Sequence, residues 1–311
     1  MDNLKHFSVM LNECLDGLNL KEDGIYFDGT LGGAGHSYEI LKRTTSAKLV
    51  ATDLDDYAIN RATERLNEFS GRFTLVKDNF KNFLKIKEDL QIDGFDGILL
   101  DLGVSSFQLD DRSRGFSYLA EDEELSMTMD QNQGFSAKDV VNGYSEKELA
   151  RIFKEYGEER FSYQIAKKIV EKRQYKKIET CGELVSIIRE TIPKKFQQDG
   201  HPAKRVFQAI RIEVNGELAE LEETVIAMAR SLKKGGRIVI ITFHSLEDRL
   251  VKRAFKELET DCICDKRLPI CVCGKKKEIE ILTKHPITAS EGELEQNSRS
   301  KSAKLRIAEK I

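Results

Sequence analysis

The sequence predicts an α/β protein in which a parallel sheet flanked by helices is interrupted by an α-helical insert. Three observations carry that prediction: short apolar runs alternate with helical periods over the first hundred residues, about a hundred residues without a convincing strand follow, and one further strand pattern then returns late in the chain.

Each element has its reason. Ile25 to Phe27, Lys48 to Thr52, Phe73 to Val76 and Phe95 to Leu100 read as strands. Between the second and third, Ala58, Ile59, Ala62, Leu66 and Phe69 recur at helical spacing within Asp55 to Phe69, which makes a βαβ unit. Ala137 to Val141, Glu146 to Tyr156, Arg160 to Lys172 and Cys181 to Thr191 read as short amphipathic helices, with Ser136, Ser145, Gly157 and Pro193 as caps or breakers. A helix is expected from about Glu213 to Lys233, stopping at Gly235-Gly236. A strand from Arg237 to Phe243 follows, and then a helix with Ser245 as N-cap and Asp248 three residues on. The expected division is a discontinuous core of residues 1–110 and 206–311 around a helical insert of residues 111–205.

Composition narrows the function. The chain has 311 residues, 40% of them hydrophobic, with 16 Phe and 8 Tyr, enough apolar material for a packed core. No apolar run approaches the ~20 residues of a membrane helix, and the first residues lack the pattern of a secretory signal, so a reducing cytoplasm is expected and the six cysteines are thiols or metal ligands. The net charge of −3 hides segregation: residues 88–130 carry a net −10, residues 167–211 a net +7 and residues 266–311 a net +5. Basic segments of this kind fit a polyanionic partner.

Chemistry begins where the first strand runs into Asp28-Gly29-Thr30-Leu31-Gly32-Gly33-Ala34-Gly35-His36-Ser37. Glycines let a ligand approach the backbone, and donors at a helix N-terminus attract an anionic group. Gly33-Ala34-Gly35 is followed by His36, Ser37 and Tyr38, so the dinucleotide fingerprint is incomplete, and no P-loop string exists. An acid ending the second strand, Asp53, suits the ribose hydroxyls of an adenosine cofactor. At this point S-adenosylmethionine and NAD both remain open. Asn79 and Phe80 follow the third strand, where an amide and a ring can meet adenine. Asp101 ends the fourth strand, whose carboxyl end faces the ligand crevice of such sheets.

Six strings, read together, carry a family resemblance: His6 to Glu13, Asp28 to Ser37, Asp101 to Gln108, Arg114-Gly115-Phe116-Ser117, Arg205 to Asn215, and Phe243-His244-Ser245-Leu246-Glu247-Asp248-Arg249. In this order, with Thr283 to Thr288 and Arg299 to Arg306 after them, they resemble the RsmH (MraW) family of 16S ribosomal RNA methyltransferases. The resemblance implies a Rossmann-like, S-adenosylmethionine-dependent core with an inserted all-α domain, and methylation of the exocyclic N4 of a cytidine in the decoding region of 16S ribosomal RNA. It implies cofactor contacts from Gly33, Ala34, Gly35, Asp53, Phe80, Asp101 and Gln108. Thr128 stands where the family usually has arginine and Ser8 where proline is common.

With that resemblance, Asp101 is the candidate catalytic residue, accepting a hydrogen bond from the amine or ordering the cofactor beside it, and His244 is the second candidate. A base splayed from folded RNA needs rings and cations. Phe107, Phe116, Tyr118 and Phe207 are the rings, and Lys204, Arg205, Arg211 and Arg249 the nearby cations. Arg299, Lys301, Lys304 and Arg306 form a basic tail. The partner is 16S ribosomal RNA or the 30S subunit, with no membrane; monomer versus homodimer stays open. Cys262, Cys264, Cys271 and Cys273 can be read as a zinc site or as reduced thiols in a surface loop. Because C-x-C pairs are tighter than the usual ligand spacing, no metal is assigned. A silent RNA-binding protein and an NAD-dependent oxidoreductase are the competing readings; the glycine spacing and the joint presence of the loop, Asp53 and Asp101 speak against both.

Overall fold

The computed structural model describes residues 8–198, 200–265, 267 and 270–311. His6 and Phe7 of the first family string lie outside these residues. In chain order the elements are α1 (Leu11–Leu18), β1 (Ile25–Asp28), α2 (Gly35–Lys42), β2 (Lys48–Asp53), α3 (Asp56–Leu66), β3 (Phe73–Lys77), α4 (Phe83–Asp89) and β4 (Phe95–Asp101). There follow α5 (Ser106–Asp110), α6 (Ala137–Gly143), α7 (Glu146–Glu155), α8 (Ser162–Arg173), α9 (Cys181–Thr191) and α10 (Lys204–Asn215). The chain ends with α11 (Leu221–Arg230), β5 (Leu232–Thr242), α12 (Ser245–Glu259), β6 (Ile279–Ile281), α13 (Glu291–Gln296) and β7 (Lys304–Lys310).

The chain divides into two compact units, Met1–Gly103 with Glu220–Ile311, and Val104–Ala219. The divisions expected from sequence lay at 110/111 and 205/206. They differ because the apolar face of α10, with Val206, Phe207, Ala209, Ile210 and Val214, is buried in the core of the helical unit.

The first unit is built on one seven-stranded sheet of order β3-β2-β1-β4-β5-β7-β6. The first five are parallel, in the 3-2-1-4-5 order of a doubly wound nucleotide-binding sheet, while β7 runs antiparallel between β5 and β6. This is the Rossmann-like architecture that the resemblance implies. Tyr26, Leu49, Leu99, Val239 and Leu305 point to one face, against Cys14 and Leu18 of α1, Leu41 of α2 and Leu66 of α3. Their neighbours Phe27, Val50, Ile98 and Ile238 are buried too, on the opposite face by the period of two, so both faces are covered. There Phe27 meets Phe83 and Phe95 edge-on, with ring centroids 4.9 and 5.7 Å away; such pairs contribute ~0.5–1.5 kcal/mol each beyond area burial.

Three expectations are corrected. The helix read as continuous from Glu213 to Lys233 breaks at Gly216, which takes φ +58 at the end of α10, and α11 starts only at Leu221. Gly235-Gly236 does not stop a helix. It lies within β5, where Gly235 at φ +73 allows an irregular stretch: Phe95 pairs with Leu232 but Gly97 with Arg237. The cap of α12 is His244 with Glu247, one residue earlier than Ser245 with Asp248.

In the helical unit, α6 to α9 form at the expected places, and reciprocal capping boxes start three of them: Ser136/Asp139, Ser145/Glu148 and Thr180/Glu183. Among the described residues no helix is long and apolar enough to cross a membrane.

Candidate active site

The switch point of the sheet lies between β1 and β4, where the strand order reverses; ligands of such sheets bind outside the carboxyl ends there. The segment after β1 is held there by backbone and side-chain bonds to two strands, β4 and β2. Gly29 N donates to Leu99 O at 3.0 Å, Leu31 N to Thr52 O at 3.0 Å, and Gly32 N to Asp53 Oδ2 at 2.8 Å. Asp28 is buried; its Oδ1 accepts from Thr30 N at 3.1 Å and its Oδ2 from Ser37 Oγ at 2.6 Å. Burial pushes the Asp28 carboxyl above its ordinary pKa.

Glycine is required at Gly29, where a Cβ would overlap Leu100 Cδ2 and lie 3.0 Å from Phe80 Cβ; Phe80 therefore packs directly beside the loop. At Gly35 a Cβ would overlap Ser8 Oγ, so Ser8 packs directly against the glycine loop. Ala34, fully buried, takes φ 55 and ψ 28 as N-cap of α2. That left-handed conformation costs an L-residue roughly 1–2 kcal/mol, strain of the kind held at ligand loops. The carbonyl of Gly33 accepts from Arg65 Nη1 at 2.6 Å, which fixes the loop from α3.

Asp53 uses both carboxylate oxygens, Oδ2 for Gly32 N and Oδ1 for Asp55 N at 2.9 Å. Burial raises it to about 6 despite those two bonds. Four lone-pair sites leave room for ribose hydroxyls as well.

Asp101 differs. Its backbone N–H donates to Thr30 Oγ1 at 2.6 Å, but its side-chain Oδ1 is buried without a hydrogen-bond partner among the described residues. Burial first, then the charges of Asp28, Glu247 and Glu293, raise the carboxyl to about 8. An orphaned acidic oxygen among like charges is what a cationic ligand would relieve.

His244 has a structural task. Its Nδ1 accepts from Glu247 N at 3.4 Å, while Glu247 Oε2 takes Phe243 N and His244 N; Nε2 lies 3.2 Å from Glu247 Oε1, off the hydrogen-bonding direction. Gln108 belongs to the other unit, where its Oε1 accepts from Ser105 N at 3.0 Å in the capping box of α5.

The first unit therefore brings together Gly33, Ala34, Gly35, Asp53, Phe80 and Asp101 around one strand-end crevice. A model of the MraW methylase family matches residues 3–311. The chain belongs to the MraW methylase family. It is 58% identical over 308 residues to the ribosomal RNA small subunit methyltransferase H of Clostridium botulinum (strain Loch Maree / Type A3), covering 99% of each chain. Identity to the protein of that name from Clostridioides difficile (strain 630) is 54% over 308 residues, covering 98% of this chain and 99% of that one. A solved structure described as a putative rRNA-methylase from Clostridium thermocellum aligns over 98% of this chain and 99% of that one, with a TM-score of 0.45 and 13% identity.

For this MraW methylase, sequence reasoning missed Thr30, Ser37, Arg65 and the buried Glu247. Thr30 and Ser37 lie within the glycine string; Ser37 bonds Asp28 of the same string, whereas the partner of Thr30 is Asp101, which only the sheet order brings near. Several expected RNA contacts are corrected. Phe207 and Phe116 are 3% and 7% exposed and belong to the helical core. Tyr118 is stacked on His201 with centroids 4.3 Å apart. Arg211 is held in the helical unit by Glu217 through two 2.8 Å bonds. Arg306 is buried in β7 and bonded to both Asp248 oxygens at 2.6 and 3.2 Å, so it is no tail residue. Lys204, Arg205, Arg249, Arg299 and Lys301 remain exposed.

Proposed function

We propose that this chain transfers a methyl group from S-adenosylmethionine to the exocyclic N4 of a cytidine in the decoding region of 16S ribosomal RNA, presented as RNA or as the 30S subunit. Family membership and relatives named for small-subunit ribosomal RNA methylation support the reaction class; the resemblance in the sequence supplies the N4 position. The observation that carries the reading is Asp101, whose buried Oδ1 lacks a partner at the switch point.

The residues fit the cofactor. Backbone groups of Gly33, Ala34 and Gly35 would meet its methionine end, Asp53 its ribose hydroxyls and Phe80 its adenine face, with Gln108 assigned by resemblance. Bound S-adenosylmethionine supplies an electrophilic methyl on a cationic sulfur. The cytosine amine is a poor nucleophile because its lone pair is delocalised into the ring. Asp101, ionised beside a cation, accepts a hydrogen bond from that amine and favours the positive charge that grows on nitrogen as the N–C bond forms. As a carboxylate next to the amine, Asp101 would also be placed to take the proton the amine gives up.

The test is tritiated methyl transfer to 30S particles lacking the N4 modification, followed by nucleoside analysis. Label on N4-methylcytidine is expected; label on a ring carbon or a ribose would overturn the amine assignment. Calorimetry should show S-adenosylmethionine binding in preference to NAD.

A further inference from the structure

Between α12 and β6 the chain makes an excursion, residues 260–278, in which the described residues carry neither helix nor strand. Three of its described apolar side chains are not buried: Ile263, Ile270 and Val272 are 69%, 74% and 77% exposed. Packing of these three side chains therefore does not hold the segment together. Yet Cys262, Cys264, Cys271 and Cys273 converge, with all four sulfur atoms within 4.8 Å of one another.

We propose that these four cysteines bind one zinc ion as a closed tetrathiolate site, a structural centre separate from the methyl-transfer crevice. The measured Sγ–Sγ distances are 3.5 Å for Cys262 and Cys271, 3.6 Å for Cys271 and Cys273, 3.9 Å for Cys264 and Cys271, and 3.9 Å for Cys262 and Cys273. A tetrahedron with Zn–S bonds of about 2.3 Å has edges of about 3.8 Å, so one ion fits the space between these sulfurs. Two disulfides would instead draw the sulfurs into two close pairs at about 2.05 Å.

The surrounding backbone is arranged for thiolates. Cys264 N donates to Cys262 Sγ at 3.4 Å, Val272 N to Cys264 Sγ at 3.3 Å, and Ile263 N to Cys273 Sγ at 3.4 Å. Such N–H groups orient sulfur ligands and spread their charge. Each N–H belongs to a residue within or beside a C-x-C pair, so the tight spacing that argued against a metal from sequence is what places these donors. On binding, each thiol loses its proton to solvent and its sulfur gives an electron pair to the ion; no oxidant or reductant takes part. The resulting centre is anionic, and Arg267, Lys275 and Lys276 supply cationic neighbours in sequence.

The full-length protein, produced without added metal and dialysed against a weak chelator, should retain roughly one equivalent of zinc by elemental analysis. Cys271→Ser and Cys264→Ser should each reduce this below about a tenth of an equivalent, while S-adenosylmethionine binding shows that the core still folds. Cobalt exchanged into the site should give the sulfur-to-metal charge-transfer and intense visible bands of tetrahedral thiolate coordination. Stripping the metal should open the segment to trypsin at Arg267 and Lys275. Zinc below about a tenth of an equivalent in the unsubstituted protein with four reactive thiols, iron in its place, disulfides by mass, or undiminished zinc in both variants would overturn the assignment.

Discussion

Asp101 N–H donates a 2.6 Å hydrogen bond to Thr30 Oγ1, linking the end of β4 to the loop that leaves β1. The bond crosses the switch point, so the residue that shapes the cofactor loop also fixes the backbone of the candidate catalytic acid. Thr30→Val keeps the shape but leaves the amide of Asp101 without its acceptor. Destabilisation by about 1–3 kcal/mol in urea denaturation is expected, with weaker cofactor binding, whereas Thr30→Ser should stay near the parent on both measures. Equal behaviour of the valine and serine variants would show the tether to be idle.

Asp101 should oppose stability. Its folded-state pKa, about 8, lies above the ordinary carboxylate value, so the folded protein holds a proton that the unfolded chain has released between roughly pH 4 and 8. Stability from this group is fully present below that window and declines as pH rises through it. Asp101→Asn should therefore raise stability at pH 7.5 by about 1–3 kcal/mol while abolishing methyl transfer, and should flatten the decline. A variant no more stable than the parent would mean that the carboxyl is not strained in the folded protein.

The same carboxyl predicts a pH signature for ligand binding. A cation beside Asp101 lowers its pKa, so S-adenosylmethionine binding expels a proton below about pH 8, and affinity should climb with pH, by at most about tenfold per unit, before levelling. S-adenosylhomocysteine, whose sulfur is neutral, should give a shallower rise. Calorimetry in buffers of different ionisation enthalpy counts the protons; identical profiles for the two ligands, or an unaltered profile in Asp101→Asn, would remove Asp101 from the sulfonium's neighbourhood.

The basic residues sort into two groups. Arg306→Met takes from Asp248, 14% exposed at its side chain, its two hydrogen bonds and leaves it the 3.6 Å ion pair with Lys304; it should cost stability on the order of 1–3 kcal/mol without altering the salt dependence of RNA binding. Neutralising exposed Lys204 and Arg205 should do the reverse, reducing the slope of log affinity against log salt by about one for each phosphate that is no longer neutralised. Filter binding across a salt series separates the two outcomes.

How much was legible in the sequence follows from how local each signal was. Strand, glycine turn and helix at residues 25–42 announce themselves within a few residues, and the helix from Asp56 shows its apolar face directly. β7 did not. Lys304–Lys310 alternates Leu305 and Ile307 with Arg306, but the arginine looks like a surface charge until Asp248 of α12 is placed beside it. Asp96, counted in the acidic segment, is pinned by Lys21 and Lys233 from distant parts of the chain. The break at Gly216 was hidden because helical periods continue on both sides of it. The candidate residues at the strand ends could be picked out by type, whereas the buried oxygen of Asp101 without a partner among the described residues depends on which side chains burial brings near it.

The placement of β7 between β5 and β6 bears on how the chain emerges from a ribosome. Until Lys304–Lys310 arrives, β5 offers an open edge of unpaired amides and carbonyls, a template for pairing with other chains. β4 and β5 must likewise wait for the whole helical unit to be synthesised between them, because Leu99 pairs with Val239. The helical unit is one contiguous stretch, Val104–Ala219, and can assemble before the sheet, which closes among the last events of synthesis. Removing even the final strand would leave the glycine loop built correctly on a sheet prone to aggregate.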